Sequence, residues 1–192
     1  MKKRDYETVS NKKNDVEITE PVKATINASG CDFFCPVDLE IPPNTSIYFW
    51  TDIKAYMKPD EVLVLAPRSS AGDYNLMLTN TIGLIDADYY NNEETEGNIK
   101  IGLRNLNPSV GVMHTPIRIM NEDGTEVLDE NGNPDPQAVQ VNTSFIDLTE
   151  HNTIKIAAGD RIVQGLFFKR LDTDTDRTKD KVRKGGFGHT GK

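Results

Sequence analysis

Four stretches of the 192-residue chain carry side chains suited to chemistry on a phosphorylated ligand. The C-terminal run Arg183-Lys184-Gly185-Gly186-Phe187-Gly188-His189-Thr190-Gly191-Lys192 combines glycines, whose backbone N–H groups are open, with cations and one aromatic face. Amides and cations can cradle a phosphate chain while a base stacks on the ring. An ordinary Gly-rich terminus has the same composition. In Ala66-Pro67-Arg68-Ser69-Ser70-Ala71-Gly72, the proline ends an apolar strand and leaves Arg68 and two hydroxyls beside free amides. Arg offers phosphate a charge-assisted, fork-shaped pair of hydrogen bonds, although a turn with one surface Arg reads the same way. In Asn80-Thr81-Ile82-Gly83-Leu84-Ile85-Asp86-Ala87-Asp88-Tyr89, a carboxylate behind Leu84-Ile85 could be desolvated enough to act as a general base on water. Tyr89, three residues on, could pack against a sugar. A turn capped by Asp is the plainer reading of that segment. Gly159-Asp160-Arg161-Ile162-Val163-Gln164 reads by itself as a turn entering an apolar strand.

The order of these segments is more specific than any one of them. Together with Ala28-Ser29-Gly30-Cys31-Asp32, they resemble the five motifs of the trimeric dUTPase family, enzymes that hydrolyse dUTP to dUMP and pyrophosphate. The resemblance spans about residues 22–104 and 153–192. It implies an all-β, distorted jelly-roll (β-clip-like) barrel, assembled as a homotrimer with active sites at subunit interfaces. A C-terminal arm would close over a neighbour's site. Transferred position by position, the resemblance makes Asp86 the residue that orients and deprotonates the attacking water. Arg68, Ser69, Ser70 and Gln164 would hold the phosphates, bridged by Mg²⁺, with Asp32 reaching the metal through water. Asn80 and the hairpin backbone at Gly83 and Ile85 would read the uracil edge, and Tyr89 would stack on the deoxyribose. Phe187, with Gly188, His189 and Thr190, would cover the nucleotide, and Arg183 would meet the γ-phosphate. Such an enzyme keeps uracil out of DNA and supplies dUMP for dTMP synthesis.

Three positions depart from the family pattern. Val182 stands where an Arg commonly precedes the arm's Phe, leaving Arg183 one residue closer. Tyr90–Glu96 intervene between Tyr89 and Gly97, where the family runs from Tyr straight into Arg-Gly. Cys31 and Phe33 alter the texture of the first motif. The second departure admits another enzyme. dCTP deaminases, some of them bifunctional with dUTP hydrolysis, share the fold and the Arg-Ser-Ser segment, and Glu96-Gly97 resembles their catalytic Glu-Gly pair. The Arg they place shortly after Arg-Ser-Ser is missing here, where Ala71, Gly72, Asp73 and Tyr74 stand.

The elements that must position these residues are short strands. Ile47-Tyr48-Phe49-Trp50 and Val62-Leu63-Val64-Leu65-Ala66 are rich in β-formers, and Pro42-Pro43-Asn44-Thr45 and Lys58-Pro59-Asp60 punctuate them. Ile99–Leu103, Ile154-Lys155-Ile156 and Arg161–Phe168 continue the series, and helical periodicity is hard to find. The chain divides into a polar N-terminal extension at 1–20, a core at 21–106 and 153–171, an insertion at 107–152, and an arm at 172–192. Within the insertion, Ile117–Met120 and Thr125–Leu128 are spaced to pair as a hairpin about Asp123-Gly124. Forty-six residues are unusual for a connection; the insertion is either a decorated surface hairpin without a partner or, by resemblance to some phage relatives that carry an extra segment here, a binding surface for a regulatory protein.

Composition bounds the rest. Hydrophobic residues make up 36% of the chain, enough for a core. Lys plus Arg number 22 against 30 Asp plus Glu, a net charge of −8, which argues against a nucleic-acid surface. Residues 177–192 nonetheless carry +5, leaving −13 on the remainder, so the cations concentrate in the arm. Cys31 and Cys35 lack histidine neighbours in sequence and read as buried apolar thiols rather than zinc ligands. The absence of an apolar run of about 20 residues predicts no membrane contact and a cytoplasmic location, in a bacterial host cell if the chain is phage-encoded.

Overall fold

The computed structural model describes residues 3–174. Fourteen strands and two short 3₁₀ turns make up its regular structure. The strands are β1 (Asp5–Thr8), β2 (Val22–Lys23), β3 (Cys31–Phe34), β4 (Leu39–Ile41), β5 (Ser46–Trp50), β6 (Ile53–Tyr56), β7 (Glu61–Pro67), β8 (Leu76–Leu78), β9 (Gly83–Asp86), β10 (Lys100–Asn105), β11 (Val110–Arg118), β12 (Val139–Asp147), β13 (Ile154–Ile156) and β14 (Arg161–Lys169). The 3₁₀ turns are Ser69–Tyr74 and Ala87–Tyr89. The strands pair into sheets ordered β2-β3-β14-β7-β9, β5-β10-β8, β1-β6, β13-β4 and β11-β12, with every pairing antiparallel. Among the described residues, no helix is long and apolar enough to cross a membrane.

Alternation explains the core. On β7, Leu63 and Leu65 point inward, while Val62 and Val64 lie half-buried on the other face. Val163 and Gly165 of β14, Phe33 of β3 and Ile85 of β9 continue the inner face. Phe49, Ile101 and Leu103 of β5 and β10 join the same cluster. Each such side chain, once buried, contributes about 1.5–3 kcal/mol. Cys35 is buried, which pushes its thiol up to about 11, and Cys31 is half-buried. The chain divides into two compact units, one built from residues before 108 and after 152, the other being Pro108–Asn152.

The stretch expected as a polar N-terminal extension is, from residue 4 to residue 14, tied to the core. β1 pairs with β6, and Tyr6 and Val9 are buried. The Tyr6 ring meets Phe33 edge-on at 5.3 Å. Gly165 makes room for both, since a Cβ there would lie 2.8 Å from the Phe33 ring and 2.8 Å from the Tyr6 hydroxyl. Residues 10–14 are polar because their backbone N–H groups serve carboxylates. Asp52, fully buried, accepts from the amides of Lys13 (2.9 Å) and Asn14 (2.8 Å) and from the Asn98 side chain (2.7 Å). Glu96 accepts from the Ser10 amide (3.0 Å) and hydroxyl (2.6 Å), the Asn11 amide (3.3 Å) and Lys54 Nζ (2.7 Å). The Arg4 guanidinium forks onto Glu61. A polar, charged texture therefore hides a strand and an anchor.

The insertion also differs from its expected pairing. β11 pairs with β12 from Val110↔Asp147 to Arg118↔Val139, so Ile117 faces Gln140 rather than the 125–128 segment. Of the expected short hairpin, the bridge Met120↔Glu126 remains, with the Asn121 amide bonded to the Thr125 carbonyl at 2.8 Å. The longer ladder wins because it recruits nine residues on each side.

Hydrogen bonds from Arg4 and from Lys54 with Ser10 hold Glu61 and Glu96, respectively, down to about 2, against an ordinary 4.5. A depressed carboxylate stabilises the fold above its unfolded pKa and loses that contribution as pH falls towards its folded one. Thermal unfolding followed from pH 7 to pH 2 should therefore show stability dropping below about 4.5. In Glu61→Gln and Glu96→Gln the fold should be weaker at pH 7, and that drop shallower. An unchanged slope in both variants would remove the two carboxylates from the acid response.

Candidate active site

The register of the five-stranded sheet assembles one cleft. Asp32 of β3 lies across from Gln164 of β14, and Gln164 lies across from Ala66 of β7. Directly opposed residues share a face, so Asp32 and Gln164 stand side by side where β7 runs out at Pro67. Arg68 follows in extended conformation and leads into the Ser69–Tyr74 turn. Its guanidinium reaches Asp32 Oδ1, and Arg161 Nη1 lies 3.5 Å from Oδ2. Asp32 is buried, and its Oδ2 accepts no hydrogen bond. Two guanidiniums against one carboxylate leave this corner net positive inside an acidic chain. Asp32, Arg68 and Gln164 line a cleft of about 300 Å³ together with Ser29, Gly30, Ser69 and two alanines, Ala24 and Ala28, and Gln164 Nε2 donates to the Pro67 carbonyl at 3.3 Å. Backbone amides, hydroxyls and paired guanidiniums form a donor set suited to an oxyanion. Ser70 instead lines a neighbouring cleft with Tyr74, Lys155 and Arg161, which shares Arg68 with the first.

A second cleft arises because one hairpin divides its arms between two sheets. β8 bonds to β10, whereas β9 bonds to β7. The turn between them closes through Thr81 N to the Leu78 carbonyl (3.0 Å), with Thr81 at φ +65°. The gap is lined by Asn80, Gly83, Ile85, Leu65, Tyr48 and Gly102, among others, and has a volume of about 260 Å³. A mainly apolar slot with a few polar groups at its edge suits a flat heterocycle. Gly102 sets its width, for a Cβ there would come within 2.6 Å of the Tyr48 ring and 2.4 Å of Thr79 Oγ1.

Two expected residues stand elsewhere. Asp86 is exposed, on the face of β9 opposite Ile85, so its own chain does not desolvate it. Tyr89 is buried at 3% exposure, and its hydroxyl donates to the Asn98 carbonyl at 2.6 Å. Residues 90–97 fold back over it, with Thr95 Oγ1 donating to the Tyr89 hydroxyl at 3.2 Å, and its ring lines neither cleft. Arg183, Phe187, Gly188, His189 and Thr190 lie outside the described residues.

No family model matches the chain. The curated deoxyuridine 5′-triphosphate nucleotidohydrolase of Lactococcus lactis is 31% identical over 193 residues, taking in 100% of this chain and 99% of its own length. The chain belongs to the dUTPase family. That match runs through the 108–152 unit as well as the barrel. The crystal structure of a dUTPase from Streptococcus mutans superposes with a TM-score of 0.60 at 27% identity, covering 89% of this chain and 99% of that one. A dUTPase from phage phi11 of S. aureus, described as coordinating a structural Mg(II) ion, has the same fold at 16% identity and a TM-score of 0.58, over 93% of this chain and 98% of that one. The all-β barrel is therefore the dUTPase jelly roll.

Within that dUTPase frame, Glu96 is not placed as the catalytic residue of a deaminase. Its four donors hold it ionised down to about 2, well below the range of a useful base, and tie it to the N-terminus. Gly97 beside it takes φ +82°, and a Cβ there would lie 2.9 Å from the Tyr89 carbonyl. Glu96-Gly97 is thus the close of a structural turn. Arg161, quoted in the fourth motif without a role, and Tyr48 and Gly102, outside the motifs, also line the clefts. A glycine inside the strand run Ile99–Leu103 was the available signal for Gly102, since Gly inside a strand marks close approach.

Proposed function

We propose that the chain, a dUTPase that hydrolyses dUTP to dUMP and pyrophosphate, works as a homotrimer, with the nucleobase cleft of one copy meeting the phosphate cleft of another. The observation that carries this is the separation of the two halves within one chain. Gln164 lies opposite Ala66, but Asp86 lies opposite Val62, four residues down the same strand. That is roughly 13 Å along β7, with a further strand spacing of about 4.8 Å on each side. A general base must come within hydrogen-bond reach of its water, so Asp86 serves phosphates held by a different copy. The outer face of the sheet supports the same assembly. Leu84 (58% exposed), Phe168 (50% exposed), Val62, Val64 and Leu166 form an apolar surface there, of a kind that marks protein contact.

In the assembled site Asn80 and the Gly83–Ile85 backbone hold the uracil edge, Arg68, Ser69 and Gln164 hold phosphate oxygens, and Asp86 orients the water. Ser70 joins the phosphates from the adjoining cleft. Arg183, Phe187, Gly188, His189 and Thr190 close over the nucleotide.

The donor set fits Mg²⁺ in one particular way. Among the described residues, no three His, Cys, Asp or Glu side chains converge to cage a metal. Asp32 Oδ2, buried and accepting no hydrogen bond, is instead suited to a water on a hydrated cation. Mg²⁺ keeps several waters and takes phosphate oxygens readily, and when bound it neutralises charge that develops on the phosphate chain.

The 108–152 unit supports a second role, recognition of a regulatory protein. In its ribbon Val112 (56% exposed) faces Phe145 (75% exposed) and Pro116 faces Val141 on one surface. A two-stranded ribbon cannot cover such a face by itself.

With dUTP as substrate, the product should be pyrophosphate, and dCTP should release no ammonia; ammonia would instead favour deamination. Asp86→Asn should keep dUTP binding and lose about 10²–10⁴-fold in turnover, measured by kcat and calorimetry; full turnover would remove Asp86 from this role. Leu84→Glu should shift the assembly from trimer to monomer by light scattering and abolish hydrolysis. A Leu84→Glu trimer would place the interface elsewhere. Deleting residues 110–150 should spare hydrolysis, whereas loss of both trimer and activity would make the insertion structural.

A further inference from the structure

Lys100 lies on the wall of the nucleobase cleft, where the family resemblance assigns no residue. Ile101 and Leu103 are buried, so alternation turns Lys100, Gly102 and Arg104 to the outer face of β10. Trp50 and Tyr48 lie directly across from Lys100 and Gly102 on β5. The Lys100 ammonium sits 5.4 Å from the centroid of each of these two rings. Ring faces attract a cation through their quadrupole but leave its N–H donors unspent.

The contrast with other cations is chemical. Lys54 is paired with Glu96, Lys155 with Glu40 and Lys169 with Asp60, while Arg68 and Arg161 share Asp32. Among the described residues, Lys100 has no carboxylate partner. Inside a chain of net charge −8, the Lys100 ammonium thus lies against two aromatic faces, beside an otherwise largely apolar slot. An apolar wall gives a base area but little choice between bases. A fixed ammonium gives choice: it accepts a carbonyl oxygen as partner and rejects an amino group.

We propose that Lys100 is a specificity-determining residue, donating a charge-assisted hydrogen bond to a carbonyl oxygen of the pyrimidine base. This rests on the uracil reading of the cleft. Uracil offers carbonyls on both sides of its N3–H, whereas cytosine replaces one of them with an amino group. The Lys100 donor therefore adds to the selection that the 79–82 turn makes through its backbone. The aromatic pair positions the ammonium, and Gly102 keeps Tyr48 close enough to do so.

The test compares Lys100→Met, Lys100→Gln and Lys100→Arg with the unaltered chain. Binding of deoxyuridine and of dUMP is measured by calorimetry at low and high salt, and kcat/KM is measured for dUTP and dCTP. A lost charge-assisted hydrogen bond should weaken deoxyuridine binding to the Met and Gln variants by about tenfold or more. It should lower the dUTP-over-dCTP preference by a similar factor, while Lys100→Arg stays within about threefold. Deoxyuridine carries no phosphate, so a loss that spares it and falls on dUTP alone, fading with salt, would assign Lys100 to the phosphates and overturn the proposal. Equal deoxyuridine binding and an unchanged dUTP-over-dCTP ratio in folded Lys100→Met, checked by thermal midpoint, would also overturn it. Failure of the underlying reading looks different: the unaltered chain would neither bind deoxyuridine nor turn over dUTP.

Discussion

Strand β14 is hydrogen-bonded along both edges, and the placement of the site depends on that double register. On one side it pairs with β3 from Phe34 to Cys31, across an irregularity between Arg161 and Val163. On the other it pairs with β7 without interruption from Pro67 to Glu61. From Val163 onward side chains alternate, so a slip of one residue on either edge would send Gln164 into the core and Val163 into the cleft. Val163 is fully buried and Gly165 has no room for a Cβ, so the packing enforces the register. Three motifs more than thirty residues apart in sequence become neighbours because of this one constraint. The pairing of Asp32 with two guanidiniums follows from the register and is not a separate device.

The acidic balance reads differently once burial is known. Asp52 and Glu96 point at backbone amides of residues 10–14, and Glu61 points at Arg4. These carboxylates replace the backbone partners that a short N-terminal segment cannot find within a sheet. They fasten the start of the chain to β6 and to the turn that follows Tyr89. Part of the charge of −8 is therefore internal scaffolding rather than a surface field, and the positive corner at Arg68 and Arg161 is not in conflict with it.

What the sequence made legible and what it hid divide along a physical line. Strands carried by β-branched runs, such as Val62–Ala66 and Ile162–Phe168, were readable because both periodicity and composition pointed one way. The cleft residues Arg68, Ser69, Gln164 and Asp32 were readable because their order along the chain is specific. The N-terminal strand was hidden, since Tyr6 and Val9 are the only apolar signals there and its polar neighbours have partners 36 to 86 residues away. Tyr89 was misjudged because position in a motif says nothing about the 90–97 turn that folds over it. Asp86 was expected behind an apolar screen, yet strand alternation turns it away from Ile85. Local pattern identifies elements; the direction of a single side chain depends on pairings that the pattern does not contain.

The hairpin of β8 and β9 has one more consequence. Its arms belong to different sheets, so the slot between them is an interval between two pieces of framework rather than a loop that happens to be open. Lengthening the turn would not widen it, and tightening the turn would not close it, because β10 and β7 hold its sides. The size of what enters can change only through the side chains that face the gap, and Gly102 is the tightest of them. Adaptation to a different base is thus confined to the few side chains that line the slot, while the surrounding barrel keeps its shape.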